Sequence, residues 1–227
     1  MPADVKRALV FGGTGTVGRE VLRAFAQQKI PTTFTYLRSA DRARVLAEEF
    51  GQRSASVDLA DEAALRTFLR GLEEAPRIVV HAAAVLSEDF RTSQAVNVHS
   101  AYVAARELAP RMEKAGGGDI VFLGALDRTQ SLPIPVAFAA SQGALAAMTM
   151  ALSKELGPKG IRVNMIALGL LNEGLSRGLD SKLLEDYNAF SAFRRTGTAA
   201  EVARAVRWLA CENTYMSGRV VPVNGGI

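Results

Sequence analysis

The run Gly12-Gly13-Thr14-Gly15-Thr16-Val17-Gly18, set between a short apolar stretch and a helix-like stretch near the start of the chain, constrains the fold more than any other feature. Glycines at this spacing allow a sharp turn out of a strand and let backbone N–H groups approach a pyrophosphate, with the positive end of the following helix behind them. The same residues would also make a tight turn with no ligand. The pattern downstream favours the first reading. Apolar runs at 7–11, 32–36, 54–57, 78–81, 120–123, 161–167 and 220–223 read as strands, and helical periodicity fills 18–28, 40–50, 61–71, 97–114, 136–156 and 200–211. Residues 169–193 form the longest loop-like stretch. Such alternation predicts α/β architecture: a single doubly wound Rossmann-type domain over residues 1–227, with a mostly parallel sheet and helices on both faces. Ligands are then expected at the carboxyl ends of the strands.

A chain of 227 residues suits one such domain, burying roughly 70 to 75% of the surface its unfolded form exposes. Hydrophobic residues at 48% and charged residues at 22% exclude a disordered or fibrous chain. A single cysteine, Cys211, excludes a disulfide framework and a zinc site built on cysteine pairs, and two histidines, His81 and His99, point to no metal centre. His81 reads as a hydrogen-bonded structural residue at a strand end and His99 as a helix-surface residue. The net charge of +4 is spread along the chain without a basic block, so no nucleic-acid partner is expected. Charges at Asp4, Lys6 and Arg7 argue against a signal peptide, which makes a cytoplasmic protein the expectation. Residues 129–153 carry no charge, but Pro133, Pro135, Gln142 and Gly143 interrupt them, so they read as a buried or interface helix and not as a membrane span.

After the second strand, an NAD-binding chain would place a carboxylate to accept from the ribose hydroxyls. Here the sequence is Thr35-Tyr36-Leu37-Arg38-Ser39, with no acid until Asp41. Arg38 beside Ser39 suits a 2′-phosphate, so NADP(H) is the expected nucleotide if one is bound. The alternative for Arg38 is a solvated charge following a strand.

With these motifs the chain resembles the short-chain dehydrogenase/reductase family over nearly its whole length. Asp58-Leu59 is similar to the family's adenine-contacting pair, and His81-Ala82-Ala83-Ala84 stands where many members have Asn-Asn-Ala-Gly. Asn97 matches the helix asparagine that supports catalysis. Gly160-Ile161-Arg162-Val163-Asn164, Arg195-Thr196-Gly197 and Asn224-Gly225-Gly226 resemble the ketoacyl-reductase type of ending. The resemblance implies that Gly12, Thr14, Gly15, Thr16, Val17, Gly18, Arg38, Ser39, Asp58, Leu59 and Ala82 hold the cofactor. It also implies carbonyl reduction, in which a tyrosine donates a proton, a lysine four residues later lowers its pKa and a serine polarises the carbonyl. Those three positions are Phe138, Gln142 and Ala125 here. The Pro-Gly and threonine that hold the nicotinamide end are replaced as well, by Leu168-Gly169-Leu170-Leu171-Asn172-Glu173. The phosphate end thus keeps more of the family pattern than the reactive end.

Three functions follow as expectations. One is non-redox or unconventional chemistry (dehydration, isomerisation or cyclisation) on an acyl or polyketide-like small molecule, free or carrier-bound, with Asn97, Asp127 and Glu173 as candidate catalytic residues. Both carboxylates read equally as solvated loop residues. The second is a catalytically silent NADP(H)-binding or scaffold protein, and the third an NADP-dependent oxidoreductase with substitute groups. A homo-oligomer, dimer or tetramer, or a complex with a related subunit is expected from the uncharged helix.

Overall fold

The computed structural model describes residues 6–125 and 134–227. Seven strands form one sheet in the order β3-β2-β1-β4-β5-β6-β7: β1 (Ala8–Phe11), β2 (Thr32–Tyr36), β3 (Arg53–Ser56), β4 (Ile78–His81), β5 (Gly118–Ala125), β6 (Ile161–Leu168) and β7 (Val220–Val223). Every pairing is parallel, where the sequence had suggested only a mostly parallel sheet. Short strands buried on both faces favour continuous apolar runs, and β1 and β4 are buried throughout and apolar except at His81, the last residue of β4.

Alternate strand residues feed two cores. Leu9, Phe11, Val79, Ile120 and Phe122 point to the face covered by α3 (Glu62–Arg70), α5 (Ser100–Lys114) and α6 (Val136–Leu156). Ala8, Val10, Ile78, Val80 and Val121 point to the face covered by α1 (Thr16–Gln27), α2 (Ala40–Phe50) and α8 (Ala199–Arg207). The chain from β1 therefore leaves toward one face and the chain from β4 toward the other. A crevice opens between them at the carboxyl ends of these adjacent strands, where a doubly wound sheet binds its ligands.

Boundaries differ from expectation in ways that matter for the site. The helix expected from Asn97 is entered through α4 (Phe90–Gln94) and a π-helical turn, Ala95–His99, so Asn97 sits in the turn itself. Residues 169–193, read as loop, contain a short helical turn, Gly174–Gly178, and a ten-residue helix α7 (Ser181–Phe190). The side chain of Asp180 caps α7 by accepting from Lys182 N at 2.7 Å. Only Tyr187 of α7 is buried, so the helix carries almost none of the apolar periodicity by which a sequence reveals one. Helix α6 has the length and apolar character of a membrane span, yet Phe138, Leu145, Leu152 and Leu156 are buried within the fold.

Candidate active site

The crevice is a cleft of about 710 Å³ that runs from the glycine turn to the ends of β5 and β6. At its phosphate end, Gly12 has φ +74°, and a Cβ there would stand 2.9 Å from the Ala83 backbone, so the turn and the β4 end touch in a way only glycine permits. Gly12 N–H donates to Thr35 Oγ1 at 3.3 Å, tying the turn to β2. Gly15 caps α1 without a side-chain acceptor, which leaves the first amides of the helix directed at the cleft. Of the cofactor residues expected from the sequence, Gly12, Thr14, Gly15, Thr16, Val17, Arg38, Asp58, Leu59 and Ala82 all line this cleft. Gly18 and Ser39 stand outside its wall. Gly18 packs beneath the turn, where a Cβ would collide with the Gly12 carbonyl, and Ser39 precedes α2.

A group that sequence reasoning missed is Arg42, whose Nη1 donates to Thr14 O at 3.4 Å from the exposed first turn of α2. Its signal was available in the chain, since position 42 falls in the first turn of the helix expected at 40–50, just after Arg38. Together these residues fit a phosphorylated dinucleotide: small residues where a diphosphate must approach, free helix amides behind it, and two arginines near the second strand.

The reactive end is different. Ala125, Phe138 and Gln142 line the cleft, the last two 5% and 3% exposed. Around them lies a closed hydrogen-bond network. Asn97 accepts from Val85 N at 2.8 Å, and its Nδ2 donates to Val85 O and to Ser141 Oγ, both at 3.0 Å. Ser141 also accepts from Gln142 Nε2 at 3.0 Å and passes its own proton to Phe138 O at 2.6 Å. Gln142 Oε1 accepts from Ala125 N at 2.8 Å. The Ser141 oxygen and the Asn97 side chain are thereby saturated, as buried polar groups need to be. No member of the network titrates in the physiological range.

Two side chains that can ionise, Tyr187 and Glu173, stand at this end among the described residues. Tyr187 packs on Gly169, and its O–H donates to Asn224 O at 2.7 Å; burial pushes the phenol up from its ordinary value. Glu173 lines the cleft but pairs with Arg19 of α1 at 3.5 Å. Asp127, the other carboxylate candidate, lies outside the described residues. His81 is buried below the cleft: Ser100 donates to Val96 O at 2.7 Å, so its oxygen must accept from His81 Nε2 at 2.7 Å, and burial lowers the imidazole to about 4. His99 is bonded to Glu62 at 2.7 Å on the exposed side of the helix layer. No group of three or more potential metal ligands occurs among the described residues.

Comparison with known proteins agrees with this architecture. The family model described as enoyl-(acyl carrier protein) reductase matches residues 13–227. The cyclic-di-GMP-binding biofilm dispersal mediator protein of Escherichia coli (strain K12) is 28% identical, over 97% of this chain and 96% of its own. The 3-oxoacyl-[acyl-carrier-protein] reductase MabA of Mycobacterium avium is 28% identical, over 100% of this chain and 91% of its own. The solved structure of BdcA in complex with NADPH superposes with a TM-score of 0.88 at 27% identity, covering 97% of this chain and 93% of that one. A parallel seven-stranded doubly wound sheet, a glycine turn at its switch point and a family match from that turn to the last residue lead to one conclusion: the chain belongs to the short-chain dehydrogenase/reductase family of oxidoreductases.

Proposed function

We propose that this chain binds NADP(H) and does not perform efficient carbonyl reduction of the kind its family carries out. The observation that carries the reading is the saturated network of Asn97, Ser141 and Gln142 behind Phe138, in the place where a proton relay would have to stand. A bound nicotinamide supplies or accepts a hydride, and the alkoxide formed in a reduction then needs a proton. Phe138 has none to give, the Gln142 amide carries no charge to lower a neighbour's pKa, and Ala125 offers the carbonyl no side-chain donor. Tyr187 and Glu173 are committed to Asn224 and Arg19. A positioned general acid is worth roughly 10² to 10⁴ in rate, so its loss leaves turnover feeble. The E. coli relative is named for binding a ligand and the solved relative holds NADPH, and both are in keeping with a binding role.

A second reading, non-redox chemistry on an acyl or polyketide-like molecule, draws support from the apolar inner wall of the cleft, formed by Leu86, Val96, Ile134, Leu175 and Leu179 with the Glu173 carboxylate beside it. The Arg19 partner weighs against Glu173 as a catalytic group, because the ion pair draws its carboxylate toward α1. Titration calorimetry with both nucleotides, followed by assay of a panel of ketones and β-ketoacyl thioesters, tests the proposal. NADPH is expected to bind more tightly than NADH, and turnover to fall well below the roughly 1 to 10³ s⁻¹ usual for enzymes. Binding of neither nucleotide at millimolar concentration would remove the cofactor, and turnover within that range would return the chain to its active relatives.

A further inference from the structure

The end of β6, helix α7 and the chain after β7 converge at one point of the cleft wall. A Cβ on Gly169 would stand 2.0 Å from Tyr187 Oη and 2.7 Å from Asn224 Cα, so the three segments touch with no room between them. Gly169 N donates to Val223 O at 3.0 Å, and the Tyr187 O–H donates to Asn224 O at 2.7 Å. Gly169, Tyr187 and Asn224 all line the cleft. Tyr187 and Asn224 also line a second cavity of about 300 Å³, bounded further by Phe193, Thr198 and Pro222. The pair is therefore a partition between two hollows. Such a partition lacks some of the packing atoms that hold a core side chain in place. The hydrogen bond across it then sets where the wall stands.

The wall meets one half of a dinucleotide and not the other. On one side of the glycine turn the cleft is lined by Arg38, Asp58 and Leu59, and on the other by Ala125, Leu168 and Gly169. A dinucleotide lies across the switch point of a doubly wound sheet with its diphosphate at the glycine turn and its two halves to either side. With the 2′-phosphate at Arg38, the adenosine half takes the first side. The nicotinamide half then faces the partition.

We propose that Tyr187 is a positioning residue for the nicotinamide half: its hydrogen bond to Asn224 fixes the wall at Gly169 against which that half rests, and leaves the adenosine half untouched. The proposal rests on the NADP(H) reading above. A second hydroxyl near the end of α7 supplies the control. Ser191 is fully buried and donates to Gly225 O at 3.1 Å, so it fastens the same helix to the same stretch of chain, but it lines neither cavity.

The experiment compares wild type, Tyr187→Phe and Ser191→Ala by thermal unfolding and by calorimetry with two ligands, NADPH and adenosine 2′,5′-bisphosphate, which carries the adenosine half alone. Tyr187→Phe keeps the ring and loses only the bond. It is expected to weaken NADPH roughly threefold to tenfold, the range open to one lost hydrogen bond, and to bind the bisphosphate as wild type does. Ser191→Ala should lower the melting temperature and keep both affinities. Equal NADPH affinity in wild type and Tyr187→Phe overturns the positioning role. So does an equal weakening of both ligands in Tyr187→Phe, or a loss of NADPH affinity in Ser191→Ala as large as in Tyr187→Phe, since either makes the bond a general part of the fold. Each of these outcomes leaves wild-type NADPH binding in place. Wild type that binds neither ligand at millimolar concentration instead defeats the NADP(H) reading, and the proposal with it.

Discussion

Gln142, which the family resemblance puts at the place of a catalytic lysine, accepts from the Ala125 amide and donates to Ser141, which fixes the end of β5 without bringing a charge. This makes reversal testable. Phe138 and Ala125 already face the cleft, and Asn97 is two bonds away through Ser141. The triple change Phe138→Tyr, Gln142→Lys, Ala125→Ser is therefore expected to give NADPH-dependent reduction of a simple ketone or β-ketoacyl thioester, read by loss of NADPH absorbance, at least about tenfold above wild type. Gln142→Lys alone should lower the melting temperature, because it buries an ammonium at a site 3% exposed and leaves the Ala125 amide without its acceptor. Full family rates are not expected, since Leu168 and Glu173 replace the residues that orient the nicotinamide, and a misplacement of about 1 Å can cost 10²-fold. A triple variant no faster than wild type would place the defect elsewhere. What was legible in the sequence is that Phe138, Gln142 and Ala125 stand at the spacings where the family resemblance expects a tyrosine, a lysine and a serine. The network that replaced them was not, because Ser141 looks like any helix serine until Asn97, forty-four positions away, is folded against it.

At the scale of the element, several strands were legible to the residue. β2, β4 and β7 have the limits expected from the sequence; β4 is central and buried throughout, which leaves it no freedom to alternate, whereas β7 is a partly buried edge strand marked by its short Val-rich run. Helix α7 and the π-helical turn at Asn97 were not, the one because it buries a single residue and the other because hydrogen-bond register leaves no mark on residue type. The last residue of β4 carries a titratable burden. His81 is paired in register with Phe11 and Phe122, its Nε2 is satisfied by Ser100, and its Nδ1 is buried with no partner. Burial holds it at about 4 against an ordinary value of 6.5, so the folded state requires the neutral ring. A depressed folded-state value means that this contribution is complete above pH 6.5 and is lost as pH falls toward 4. At about 1.4 kcal/mol per unit, it amounts to about 3 kcal/mol. Thermal unfolding followed from pH 7 to pH 4.5 should show a falling midpoint, and His81→Asn should flatten the slope. Carboxylates held low by arginine partners, such as Glu201 at about 2, act at lower pH and do not mimic this window. A slope that His81→Asn does not change would show that the ring takes up its proton equally in the folded and unfolded chain, and that burial does not hold it neutral.

At the scale of the whole molecule, one broad face among the described residues is uncharged and exposed. On α6 the exposed residues turned away from the sheet include Val136, Ala140, Gly143, Ala147 and Ala151, an uncharged stripe in which Val136 is 84% exposed. Neighbouring α5 adds the exposed Tyr102, and the ion pair of Arg106 with Glu155 joins the two helices edge to edge. Apolar surface of this extent on a soluble domain marks an interaction face. Small residues along a helix let another helix backbone approach closely, and a two-helix face meeting its own copy about a two-fold axis closes without leaving the stripe open. We propose that α5 and α6 pair with the same helices of a second chain, giving a dimer, or a tetramer if a further face is used. Light scattering at micromolar concentration should give a multiple of the 24.2 kDa chain mass. Ala147→Glu, placed mid-stripe and exposed, should shift the mass to that of one chain while leaving the helical circular dichroism intact, because a carboxylate there remains solvated in the monomer and would be buried unpaired in the pair. The nucleotide cleft opens at the strand ends between α1 and the β4 loop, away from this stripe, so NADPH affinity should survive the dissociation. A wild-type mass equal to one chain would leave the stripe without a role in self-association, and the small residues of α6 would then need another reason to be turned outward.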